Sequence, residues 1–224
     1  MHKKKGCFVG STIGKKYWVA LTGMGLSLFV LAHMLGNMLI LVSPQKYNLY
    51  GHAMVNNPLI YPAEVGLVVL FFTHLLLAVR LTIANKKARP VTYAVSATEL
   101  KSTSLVAKSM WAQGFLILAF TVLHLITFKY GTEYVVDYGG LVVRDLHRLV
   151  VEVFSQPLYV AWYVVCLIAL GFHLSHGVAS SIQTLGIHHP RYQERIKKFG
   201  LVYGLLVMIG FLSQPLYVFL IYKG

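Results

Sequence analysis

Charge is scarce in this chain, and acid is scarcest. Charged residues make up 12% of its 224 positions, with 7 Asp and Glu against 20 Lys and Arg. A single acid, Glu64, falls inside an apolar stretch. The two cysteines, Cys7 and Cys166, are far apart in sequence, and no disulfide is expected between them. Apolar residues fill the gap: the chain is 57% hydrophobic, with a mean hydropathy of +0.65. That excludes an ordinary soluble domain.

A membrane-spanning helix needs roughly 20 predominantly apolar residues, at about 1.5 Å of rise each. Five segments qualify, at about 17–42, 59–83, 109–130, 157–185 and 199–222. They predict an all-α integral membrane protein: one domain over 1–224, built as a bundle of five transmembrane helices. No cleavable signal peptide is expected. The start is basic, but Gly10 to Lys16 is polar, and the apolar run from Tyr17 is too long for a signal core.

The net charge of +13 would suit nucleic acid if it were spread over one soluble face. It is not. With the N-terminus called inside, fifteen of the 20 Lys and Arg fall in 1–16, 80–108 and 186–198. Only Lys46, Lys129, Arg144, Arg148 and Lys223 lie on the other side. This asymmetry is the positive-inside pattern, which predicts a cytoplasmic N-terminus and no nucleic-acid partner. The bilayer is the expected surroundings, with anionic lipid or an acidic partner against the basic face.

Between the spans, 43–58 reads as a loop, with Pro44, Gly51 and Asn56-Asn57-Pro58. The connection at about 84–108 is polar and basic and is expected to lie along the membrane surface. In 141–154, charged residues recur at helical spacing among apolar ones, which predicts an interfacial amphipathic helix in the outer loop before the fourth span. The stretch 188–198 reads as a short basic turn. Pro215 predicts a kink or early end in the last helix. Ser-Gln-Pro-Leu-Tyr-Val occurs twice, at 155–160 and 213–218, and carries no assignment.

Four histidines, His33, His74, His124 and His173, sit one in each of the first four spans. An ionisable side chain at membrane depth is costly and points to function. His33 lies 16 residues beyond Tyr17, and His124 lies 16 beyond Lys108. Both are therefore roughly 24 Å along their helices from the inner edge. His74 and His173 fall nearer that edge. Depth thus sorts the four into an outer pair, His33 with His124, and an inner pair, His74 with His173. Neutral imidazole is a strong iron ligand. Two bis-histidine haems at two depths would make an electron path across the membrane. Without a Cys-x-x-Cys-His motif, such haems would be held non-covalently. His176 competes with His173, because i, i+3 spacing puts both on one helix face.

Gly23 and Gly114 each stand ten residues before a histidine, His33 and His124. They suit either the close approach of a macrocycle or helix–helix packing. Glu64 is a candidate for proton delivery to a quinone, or else an interfacial carboxylate in water. Arg80 suits a propionate or a topology signal. Arg144, His147 and Arg148 suit propionates or solvent, with solvent the preferred reading.

Four local sequences then matter together: Leu31-Ala32-His33-Met34, Thr73-His74-Leu75-Leu76-Leu77-Ala78-Val79-Arg80, Val122-Leu123-His124-Leu125, and Phe172-His173 followed by Gly177 and Gly186. In this order, ahead of a histidine-free fifth span, the chain resembles the five-helix, two-haem cytochrome b subunit of succinate dehydrogenase and fumarate reductase (succinate:quinone oxidoreductase). The resemblance covers essentially the whole chain. It implies His173 as the fourth ligand, because the family's ligand lies four and thirteen residues before two glycines. His176 is then a neighbour near a propionate. It also implies two b haems, a quinone (menaquinone by family) and residence in a bacterial inner membrane. Flavoprotein and iron–sulfur subunits would bind at the cytoplasmic face, with a higher oligomer of that complex allowed. The chain itself would not oxidise succinate. Some fumarate reductases of this type carry a glutamate two residues before the fourth ligand. Gly171 stands there, so a proton route through that position is not expected.

Two rivals remain from the sequence. One is the cytochrome b subunit of a hydrogenase or formate dehydrogenase. The other is a proton-coupled transporter with a histidine relay.

Overall fold

The computed structural model describes residues 11–88 and 105–222. The long helices are α1 (Thr12–Asn37, continued by a 3-10 turn, Met38–Leu41), α3 (Ile60–Lys87), α4 (Leu105–His124, continued by a π-helical turn, Leu125–Lys129), α6 (Pro157–Thr184) and α7 (Pro190–Leu220). Each is long and apolar enough to cross a membrane, so the chain is an all-α, multi-pass membrane protein. The 28 residues of α3 span about 42 Å, against a hydrocarbon core of about 30 Å. Shorter elements fill the loops: α2 (Pro44–Val55), an antiparallel hairpin of β1 (Val135–Asp137) and β2 (Val142–Arg144), and α5 (Leu146–Phe154).

Side-chain and backbone caps explain most boundaries. Ser11 accepts from the Gly14 amide at 3.0 Å to start α1. Pro157 and Pro190 occupy the first turns of α6 and α7, where a missing N–H costs nothing. The His189 ring accepts from the Arg191 amide at 3.2 Å. Gly186, at φ +112, ends α6. Its own amide reaches the Gln183 carbonyl and the Ile187 amide reaches Ile182, a Schellman closure that favours glycine. The glycine thirteen residues beyond His173 therefore has a helix-ending role here.

Neighbouring spans run antiparallel. Lys86 lies over the Trp111 ring where α3 ends and α4 begins, and Glu64 pairs with Lys129 at the opposite ends of the same helices. Lys15, Lys16, Lys86, Lys87, Lys108, Arg191 and Arg195 therefore gather at one end of the bundle, the basic end. The hairpin, α2 and α5 close the other, the hairpin end. α6 is the central helix, packed against α1, α4 and α7, with Val160, Tyr163, Cys166, Leu167, Leu174 and Val178 buried. Cys166 is a free thiol. α6 and α7 approach through glycines. A Cβ at Gly200 would stand 2.4 Å from the Ser175 carbonyl oxygen, and one at Gly204 2.5 Å from that of Gly171. Small residues four apart permit this backbone contact, and van der Waals packing drives it in lipid. Tyr203 ties α7 to α1 by donating to the Ser27 carbonyl at 2.7 Å and accepting from the Ser27 hydroxyl at 2.8 Å. By contrast, no described residue of α3 or α4 is buried.

Four boundary expectations change. The stretch 43–58 holds a helix, α2, started by the Ser43 cap and Pro44. Within 141–154 only Leu146–Phe154 is helical, since Val142–Arg144 pairs with Val135–Asp137. The basic turn is shorter than expected, because α7 starts at Pro190. The same helix runs through Pro215 to Leu220, so no early end occurs. The N-terminal Cys7 and most of the 84–108 connection, including its surface placement, lie outside the described residues.

At the hairpin end, Asn48 is 1% exposed and uses its amide fully. It donates to the Tyr138 hydroxyl (3.0 Å) and to Asp145 Oδ1 (2.8 Å), and it accepts from the His147 amide (2.9 Å). His147 is therefore buried rather than solvated as preferred above, and its ring meets that of Tyr222 at 5.4 Å. Burial holds this imidazole below its ordinary range, opposed by the nearby Asp145 carboxylate. Arg148 is exposed over the Tyr134 ring, whereas Arg144 is half-buried and reaches the Gly131 and Thr132 carbonyls.

Candidate functional site

α1 and α4 bring His33 and His124 together. Their ring centroids are 5.8 Å apart and their planes cross at 90°. Phe29 stacks on His33 at 5.4 Å and Phe120 stacks on His124 at 5.7 Å. Phe211 and Phe128 flank the pair. Four phenylalanines thus line the two half-buried imidazoles with apolar rings. At this spacing His33 and His124 would be able to hold one metal ion between them.

Each of these rings has an outer partner. His124 Nδ1 lies 3.1 Å from the Tyr163 hydroxyl. Asn37 Nδ2 donates to the His33 carbonyl at 2.8 Å and lies 3.4 Å from both ring nitrogens. Asn37 is held in turn by the Tyr47 hydroxyl, which donates to its Oδ1 at 2.8 Å. Burial, with a smaller contribution from Tyr50, pushes the Tyr47 phenol up to about 12, so it remains a donor. A polar chain thus runs from α2 to His33.

The second pair lies toward the basic end. His74 Nδ1 is 3.2 Å from the Val19 carbonyl and 3.2 Å from the Thr22 hydroxyl. Thr22 donates to the Trp18 carbonyl at 2.7 Å, which leaves its oxygen lone pairs toward His74. Nδ1 therefore carries the proton, and Nε2 is left with a lone pair. His173, like His176 three residues on, is half-buried on α6. Its Nδ1 is buried with no hydrogen-bond partner among the described residues.

The glycines divide. A Cβ on Gly23 would stand 2.9 Å from His74 Cε1. Gly23 thus makes room for an imidazole, which neither alternative weighed from sequence included. Among the described residues, a Cβ on Gly114 or on Gly177 would meet nothing within 4 Å. Gly171 takes the Met208 side chain and lies under Gly204, which gives this position a packing reason to be glycine. Gly23→Ala should force the His74 ring off the Val19 carbonyl. The expected destabilisation is about 1–3 kcal/mol, checked by thermal unfolding in detergent.

The remaining candidates stand apart from the rings. Glu64 is half-exposed and paired with Lys129 at 2.5 Å, joining the start of α3 to the end of the α4 segment. Arg80 is exposed near the basic end of α3. The contacts that sequence reasoning missed are Tyr163, Thr22, Asn37 and Tyr47. The hydroxyls of the first two sit in apolar runs with no periodic signal. Asn37 at i+4 from His33 was findable by helix geometry.

Among the described residues, no three His, Cys, Asp or Glu side chains converge. A bare transition metal is ordinarily held by three or four protein ligands. Two imidazoles suffice where a macrocycle brings the other ligands, as in haem. His33 and His124 would therefore suit a group of that kind. The Nδ1 contacts of His74 and His124 and the space before Gly114 and Gly177 are compatible with such a group. Comparison of the chain with protein-family models, with curated proteins and with solved structures finds no match.

Proposed function

We propose that this multi-pass protein is a di-haem cytochrome b membrane subunit of a succinate:quinone oxidoreductase. His33 and His124 would hold one haem b, and His74 and His173 the other. When bound, such haems supply reversible one-electron transfer at two depths in the bilayer. The chain's own residues do the rest. The Val19 carbonyl and Thr22 orient His74, Tyr163 orients His124, and the Asn37–Tyr47 chain steadies His33. Phe29, Phe120, Phe128 and Phe211 exclude water around the outer pair. The basic end would face the cytoplasm of a bacterium, against an iron–sulfur subunit and a flavoprotein that converts succinate or fumarate. Glu64, at the hairpin end, is the candidate proton carrier for a quinone, menaquinone by resemblance.

The observation that carries this reading is the crossed His33–His124 pair, 5.8 Å apart inside an aromatic shell. The family resemblance supplies the partners. The test is a reduced-minus-oxidised spectrum with haem quantification on the chain purified from membranes. Two b haems per chain are expected, with a flavoprotein and an iron–sulfur protein co-purifying. A colourless protein would favour a transporter. Haem without a flavoprotein would favour a subunit of the hydrogenase or formate dehydrogenase type.

A further inference from the structure

We propose that the Tyr163 hydroxyl tunes the His33–His124 centre, acting on the ring of His124 as a positioning residue. The inference rests on the reading that these imidazoles bind haem iron. An imidazole bonded to a metal through Nε2 carries its proton on Nδ1, and the group that accepts this proton sets ring orientation and ligand basicity. In the two centres those acceptors differ in kind. His74 faces a main-chain carbonyl, Val19, and the hydroxyl of Thr22, both at 3.2 Å. His124 faces one phenol oxygen at 3.1 Å.

Tyr163 is built in firmly. It is 4% exposed, and its ring lies edge-on to Phe120 and Phe154, each at 4.9 Å, and to Phe128 at 6.1 Å. Packing on three sides fixes the phenol, so its oxygen fixes the plane of His124. A neutral phenol oxygen is a weaker acceptor than an amide carbonyl, but it is still an acceptor. Removing it makes the imidazole a poorer donor to the metal and destabilises the oxidised state. The potential of that centre then rises. At His74 the main-chain Val19 carbonyl would remain even if Thr22 were replaced.

The experiment is redox titration and low-temperature electron paramagnetic resonance of the purified full chain, wild type against Tyr163→Phe. The expected result is two haems retained, one midpoint potential raised, and one ferric low-spin signal shifted. The second centre stays unchanged in both measurements. Tyr159→Phe, one turn away on α6, is the control and should move neither. Unchanged potentials and signals in the Tyr163→Phe chain overturn the proposal. So does loss of haem, because a tuning group is not required for binding. A wild-type chain without two haems sinks the underlying reading instead, and the two failures are told apart before the variant is made.

Discussion

If the chain binds the two haems proposed for it, His173→Ala should leave one haem per chain and His176→Ala should leave two. The two histidines are three residues apart on one face of α6; spacing alone does not separate them, and the family resemblance implies His173. The structure gives a physical difference. His173 has a buried Nδ1 with no hydrogen-bond partner among the described residues. A buried polar group left unpaired costs about 1–3 kcal/mol. Such an orphaned group points to something that pairs with it when present. Loss of an axial imidazole removes one of two protein bonds to the iron, so the expected change is whole-haem loss. Pyridine haemochrome quantification against protein concentration reads it directly. If His176→Ala loses the haem and His173→Ala keeps it, the fourth ligand is reassigned. If neither changes the haem content, the axial-ligand reading of α6 fails.

The second large effect concerns the fold. Gly204→Val should destabilise the chain by on the order of 3 kcal/mol or more, and Gly200→Val by a similar amount. At both positions a Cβ would meet backbone atoms of α6, at 2.5 Å and 2.4 Å, and not the far end of a flexible side chain. The helices would have to separate. That would loosen Gly210 from Met34, which is 2% exposed and packed against it. In lipid no hydrophobic driving force draws helices back together, so lost contacts are not recovered elsewhere. Gly66→Val is the matched control, because a Cβ there meets nothing within 4 Å. Unfolding in detergent, followed by circular dichroism, should separate the first two variants from the third.

These residues also show what the sequence could and could not say. Long apolar runs marked all five spans, because membrane depth imposes a length that few soluble helices share. Depth along those runs was enough to put His33 beside His124. Nothing local revealed that Gly23 seats an imidazole, or that Gly171 lies under α7, since both facts depend on which helix packs where. The repeated hexapeptide makes the point sharply. At 155–160 it opens α6, with Pro157 in the first turn. At 213–218 it lies within α7, with Pro215 buried. The same six residues do two different things: the first copy follows the end of α5 at Phe154 and starts a new helix, whereas the second is carried through by a helix already under way. α2 was missed for a different reason. Its sequence, PQKYNLYGHAMV, has no clear apolar period, and its signal was the Ser43-Pro44 start.

Asn48 carries a consequence for biogenesis. Its partners Tyr138, Asp145 and His147 lie 90, 97 and 99 residues further along the chain. During synthesis, α2 emerges two membrane crossings before anything exists to satisfy that amide. Closure of the hairpin end therefore waits on the third crossing, and whatever must enter between the early helices has until then to arrive.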